Sequence, residues 1–237
     1  MEKVEQESRL FMIFKRLLLL FSISLVASNG YAYENDFALK GGVSTAFTYL
    51  KYIDHTDDTA LGIGFNTNFG YKYKRWEFNL TSFIAFGEIE KLTYEIGNTR
   101  VQGEGNFNHV NFAPTARYYF DVKLNGKWNF YISTGPVWSL NTFKFEDFTV
   151  ESGSFKEEYR YSYTSRGWLL AFGFEEGLAS KDLKPTYIEF LYTYQTAYQV
   201  ALLDNSDFKN VETLQEDKVR TNIYTSLFMI NFGIVFF

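Results

Sequence analysis

The sequence has no cysteine, three prolines and two histidines in 237 residues, and it carries no excess of basic side chains. Without cysteine there are no disulfide staples and no thiolate ligands. That suits a chain that passes through an oxidising compartment without forming bridges. The formal net charge is −5; residues 1–32 hold four Lys or Arg against three Glu, so the remainder carries −6. Such a balance lacks the basic face that nucleic-acid binding demands. Long apolar runs are also missing. After residue 32 no segment approaches the ~20 consecutive apolar residues of a spanning helix, so any membrane crossing there must use strands. A mean hydropathy of −0.20 leaves that route open, because in a barrel wall only alternate residues face lipid.

What the chain has in place of these is aromatic rings. Phe, Trp and Tyr make up 20% of it, with 26 Phe and 18 Tyr. This excess points to many β positions and suits girdles at two lipid–water boundaries. At the N-terminus, Lys15 and Arg16 precede the apolar run from Leu17 to Ala27. Gly30 and Ala32 then stand three and one residues before a cut after Ala32. This order predicts a cleaved signal peptide over residues 1–32, with residues 33–237 as one barrel domain. Met12 serves equally as a start, since everything the signal needs follows it.

From Asp36 onward the sequence alternates with a period of two, in eight runs broken by turns. In the second, Leu61, Ile63, Phe65, Phe69 and Tyr71 oppose Gly62, Gly64, Asn66, Asn68 and Gly70. In the third, Trp76, Phe78, Leu80, Ile84 and Phe86 oppose Glu77, Asn79, Thr81 and Gly87. One face is bulky and apolar throughout; the other is Gly, Ala, Ser, Thr and Asn with a few charges. An eight-stranded barrel has room inside only for its own side chains. Eight strands of Phe, Leu, Ile and Trp do not fit there, so the small polar face points in and the bulky face out, to lipid. Short connections at Lys72–Arg75, Asp121–Lys127 and Ser180–Pro185 alternate with long polar ones, roughly 51–59, 88–106, 142–166 and 202–220. The expected fold is therefore all-β: a closed eight-stranded antiparallel up-and-down transmembrane β-barrel, with short periplasmic turns and long extracellular loops.

The stretches Asn111–Phe120 and Tyr131–Trp138, with the terminal Phe237, resemble the small eight-stranded outer-membrane proteins, OmpX-like barrels and the transmembrane domain of OmpA. The resemblance covers residues 36–237. It implies an integral protein of a Gram-negative outer membrane, surrounded by outer-membrane lipids and lipopolysaccharide. It also implies an assembly signal at Phe232, Ile234, Phe236 and Phe237, read by the barrel-assembly machinery.

Charges on the inward face are scarce: Lys40, Glu77, Arg117, Glu175 and Glu189. Buried in a narrow lumen they are costly unless paired. The expectation is one packed polar network of these five with Tyr119, Tyr131 and Gln195, plugging the lumen. A gate that opens a small conductance is the alternative use of the same residues. Pro114 and Pro136 fall inside strands four and five, where each removes a ladder donor; a two-residue Asn125-Gly126 turn would set 114 opposite 137. A lipid-modifying enzyme would need a base beside a nucleophile, and the two histidines, His55 and His109, lie in no such motif. Neither catalytic residues, a cofactor nor a metal is expected; Asp54, Asp57 and Asp58 match no oxygen-ligand loop. The long aromatic stretch Phe143–Tyr161 suggests hairpins continuing above the membrane, with strand edges open to an extracellular partner. The preferred role is structural or surface interaction.

Overall fold

The computed structural model describes residues 35–52, 55–96, 99–125, 127–152, 160–176, 186–203, 212–213 and 223–236. Nine strands follow one another: β1 (Asn35–Tyr52), β2 (His55–Tyr73), β3 (Trp76–Ile96), β4 (Thr99–Leu124), β5 (Trp128–Ser152), β6 (Arg160–Glu175), β7 (Tyr187–Leu203), β8 (Glu212–Thr213) and β9 (Ile223–Val235). Each of the first seven pairs antiparallel with the next, β7 also pairs with β9, and β9 pairs with β1. The ring is thus closed by eight strands. The two-residue β8 adds only Ala201↔Thr213 and Leu202↔Glu212 beside β7. The predicted signal peptide, the connection at 180–185 and Phe237 lie outside the described residues.

The side chains alternate as the period of two requires. Leu61, Ile63 and Phe65 are 63, 66 and 55% exposed, whereas Lys40, Glu77 and Arg117 are 1, 0 and 1% exposed. A water-soluble barrel would show the reverse. Outward rings pair across neighbouring strands near the short turns, with Trp76–Tyr118 centroids 4.9 Å apart and Phe120–Phe130 and Phe130–Phe174 both 5.4 Å apart. These tilted ring contacts suit an aromatic girdle. Two turns are tight, and Lys74 and Asn125 adopt positive φ of 55° and 51° to make them.

Three expectations change. The connection at 88–106 is largely strand, with β3 and β4 paired up to Ile96↔Thr99. The described residues of 142–166 are strand as well, β5 pairing with β4 as far as Arg100↔Ser152, in keeping with the hairpins expected from Phe143 onward. Alternation persists in these polar stretches, and ladder bonds need only the backbone. Secondly, the lumen is not uniformly small and polar. Phe83, Ile89, Phe107, Phe143, Phe145, Leu169, Leu191 and Leu227 are buried inside it. Glycines on neighbouring strands make the room: a Cβ on Gly87 would stand 2.3 Å from the Phe107 ring. Thirdly, a register shift between Tyr119 and Lys123 moves the β4–β5 pairing, giving Phe112↔Trp138 and Ala116↔Thr134. That register sets Pro114 opposite Pro136, and no pair forms between those two rungs, because both prolines lack the N–H that would close it.

Candidate functional site: a charged layer across the lumen

The inward charges stand near the short-turn end. Glu77 is the second residue of β3, Glu175 the last of β6 and Tyr187 the first of β7. From β1, Lys40 Nζ reaches across to Glu77 Oε2 at 2.8 Å, Glu175 Oε2 at 2.5 Å and Tyr119 Oη at 2.8 Å. The Tyr119 hydroxyl lies 2.5 Å from Glu77 Oε2 and 2.9 Å from Glu175 Oε2. Its single proton serves one carboxylate at a time while it accepts from Lys40. Arg117 forms the second cationic centre. Its Nη2 donates to Glu189 Oε2 at 2.8 Å and its Nη1 to Glu175 Oε2 at 3.3 Å, with Glu77 Oε1 3.7 Å away. The guanidinium carbon stands 4.0 Å from the centre of the Tyr131 ring, a cation–π contact. Tyr131 donates to Glu189 Oε2 at 3.1 Å, and Asn231 Nδ2 donates to its Oε1 at 2.9 Å.

Two cations thus face three carboxylates, a formal excess of one negative charge, offset by phenol and amide donors. Such a cluster holds together only when the geometry satisfies most of its lone pairs and protons. Below it, Lys72 Nζ sits 4.3 Å from the Tyr119 ring centre. Beside it, Tyr187 donates to Asn66, whose amide donates to Ser44 at 3.0 Å. Outside the spanning segments, Arg75 pairs with Asp121 across the turns. Its hydrogen bond with the Tyr118 side chain and the Asp121 charge push its pKa above the ordinary guanidinium value.

Seven of the eight expected residues therefore meet: Lys40, Glu77, Arg117, Tyr119, Tyr131, Glu175 and Glu189. Gln195 does not join them. It belongs to a separate, uncharged cluster, accepting from Ser165 at 2.7 Å and donating to Asn111 at 3.2 Å and Thr193 at 3.0 Å. Parity puts Gln195 in the lumen, but the stagger of β7 sets it at another level, opposite Gly167 and Thr225. Asn231 joins the charged layer without having been expected there, and Asn66 and Tyr187 form a hydrogen-bonded pair beside it. Each is inward by parity, which is the signal that could have found them.

His109 is buried in the lumen, with Nδ1 against Asn141 and its ring 4.8 Å from that of Phe107. No serine bonds it among the described hydrogen bonds. No group of three His, Asp or Glu among the described residues is placed to hold a metal; Asp54 and the side chains of His55, Asp57 and Asp58 lie outside them. At the end of β9, Phe232 and Phe236 are exposed on the outer face at 41 and 51%.

A closed eight-stranded ring with an apolar exterior and a charged interior defines the class: a transmembrane β-barrel of the small up-and-down type. Among solved structures, the chain is similar in fold to neisserial surface protein A, with 13% identity, a TM-score of 0.40, and 84% of this chain and 96% of that one covered. It is similar to Ail, the attachment invasion locus protein of Yersinia pestis, with 14% identity, a TM-score of 0.39, and 86 and 100% coverage. The outer membrane protein OprG of Pseudomonas aeruginosa aligns at 14% identity, a TM-score of 0.36, and 85 and 96% coverage. No family model matches the sequence, and no curated protein does.

Proposed function

We propose that this chain is an integral protein of a Gram-negative outer membrane with a structural or surface-interaction role, non-catalytic, its lumen closed to solutes by its own side chains. One observation carries the reading. The charged layer draws a side chain from seven of the eight strands of the ring, Lys40, Glu77, Arg117, Tyr131, Glu175, Glu189 and Asn231, and Asn66 of β2 stands beside it, bonded to Tyr187 and Ser44. A cross-section filled this way leaves solutes no continuous water path unless ion pairs break. Export by the N-terminal signal and recognition of the terminal aromatic strand by the assembly machinery complete the proposal, with strands β3 to β5 extended outward as the surface a partner would meet.

A gated channel is the second reading, favoured by the redundancy of the pairs. Lys40 lies between two carboxylates and Arg117 between Glu189 and Glu175, so the charges can exchange partners without losing all contact. Planar-bilayer recording of the refolded protein separates the two. Wild-type protein is expected to give no sustained openings, while Lys40→Met with Glu77→Gln gives frequent small ones. Stable wild-type conductance would transfer the assignment to the channel reading.

A further inference from the structure

The outer wall carries a groove of about 460 Å³ spanning β2 to β6. Its position follows from one cross-strand row. The row runs Phe47↔Leu61, Leu61↔Glu88, Glu88↔Asn106, Asn106↔Lys144 and Lys144↔Arg160. All of these residues are outward by parity, because Phe83, Ala85, Phe107, Asn141, Phe143 and Tyr163 fill the interior. Strands in a barrel tilt by ~35–45° to its axis, so a row at right angles to them climbs through the membrane boundary. It leaves the lipid-facing Phe47 and Leu61 and ends on Lys144 and Arg160. Just below, Ile63 and Phe86 give the groove an apolar floor, and Asn108 and Thr142 give it a polar shoulder.

Charge is divided along the row. Glu88 closes the β3 end, and Glu146 takes the Asn106 amide at 2.6 Å; an anion is repelled there. The β5–β6 end carries the two cations. Lys144 and Arg160 are cross-strand partners one row above the shoulder, ~6.8 Å along the strands, with the Cβ atoms of such neighbours ~5 Å apart. One phosphate can therefore bridge both while a chain attached to it runs down over Phe86 and Ile63.

We propose that this groove holds the phosphorylated headgroup of a lipid of the surrounding leaflet, with Lys144 and Arg160 on the phosphate and an acyl chain on Phe86 and Ile63. The proposal rests on the outer-membrane reading above and names the lipid chemistry that the wall selects. The test uses the full chain refolded in detergent and native mass spectrometry. It is titrated with bis-phosphorylated lipid A and, separately, with fully dephosphorylated lipid A. Retention of the phosphorylated lipid is expected, with little of the other. Each removed cation should weaken retention about fivefold, so Lys144→Gln with Arg160→Gln weakens it about twenty-fold. Phe86→Ala should weaken both lipids, and Lys127→Gln at the opposite turn neither. Equal retention by the double variant, or of the dephosphorylated lipid, overturns the site; inorganic phosphate binding as tightly as the lipid overturns the lipid assignment. The mobility difference between boiled and unboiled samples reports folding separately. Its absence in the wild type would sink the barrel reading instead, and either single variant replaces a double variant that loses it.

Discussion

Lys40 reaches three other strands from one position on β1, and its removal would leave Glu77 and Glu175 sharing the Tyr119 hydroxyl with no ammonium between them. Removing one partner from a buried ion cluster costs about 3–5 kcal/mol, and here both carboxylates would stay desolvated with Arg117 as the cation left facing them. Lys40→Met is expected to lower stability by that amount, read as the urea concentration at which the folded band disappears from an unboiled gel. Adding Glu77→Gln should recover part of the loss, since the two residues are coupled. The exposed pair Arg75–Asp121 is the counterexample. Arg75→Gln should leave stability nearly unchanged, because water already solvates both groups. A second contact in the layer depends on a missing side chain. A Cβ on Gly173 would lie 2.7 Å from the Tyr131 hydroxyl and 2.3 Å from the Ile188 carbonyl oxygen. Glycine there is what lets Tyr131 stay beside Glu189.

At the scale of strands, the prolines are the feature with a measurable consequence. Pro114 and Pro136 face one another across β4 and β5, and the ladder is open between Phe112↔Trp138 and Ala116↔Thr134. Replacing both with threonine restores two donors on strands otherwise paired on either side. Amide exchange at Phe112, Ala116, Thr134 and Trp138, whose rungs flank the opening, is expected to slow in the double variant, with the fold unchanged; unchanged exchange would mean that the opening has another cause. The same pair of strands explains what the sequence could and could not tell. Which face each residue takes follows from parity within a single run, so the inward position of Glu77, Arg117 or Gln195 was legible. Height in the barrel was not. It depends on stagger accumulated around the ring and on irregularities such as the shift between Tyr119 and Lys123, which no single strand records. Hence Gln195 was grouped with charges from which the stagger separates it, while Tyr187 and Asn231 were overlooked. The lumen phenylalanines escaped notice for a related reason: Phe107 fits only because Gly87 lies across from it, and their pairing requires the register.

For the whole molecule, the apolar exterior and the unbroken ring make one prediction independent of function. Residues 33–237 refolded into detergent should run at different positions on a gel before and after boiling, with a β-rich circular dichroism spectrum when unboiled. A soluble fold without detergent would instead mean that the two faces are inverted. The closed belt was legible in outline from eight alternating runs, because bulky residues could not fit inside so narrow a ring. The layer near the short turns has a further consequence, for how such a molecule comes to exist. Lys40 meets Glu77 of the third strand early, but Glu175 and Glu189 stand on the sixth and seventh, so the full set of pairs forms only after nearly the whole chain is present. A growing sheet that entered the bilayer hairpin by hairpin would expose incompletely paired charge to hydrocarbon, at a cost that rises with depth. The energetics therefore favour a single concerted event, in which curling the sheet, mating its first and last strands, and burying the wall in lipid proceed together.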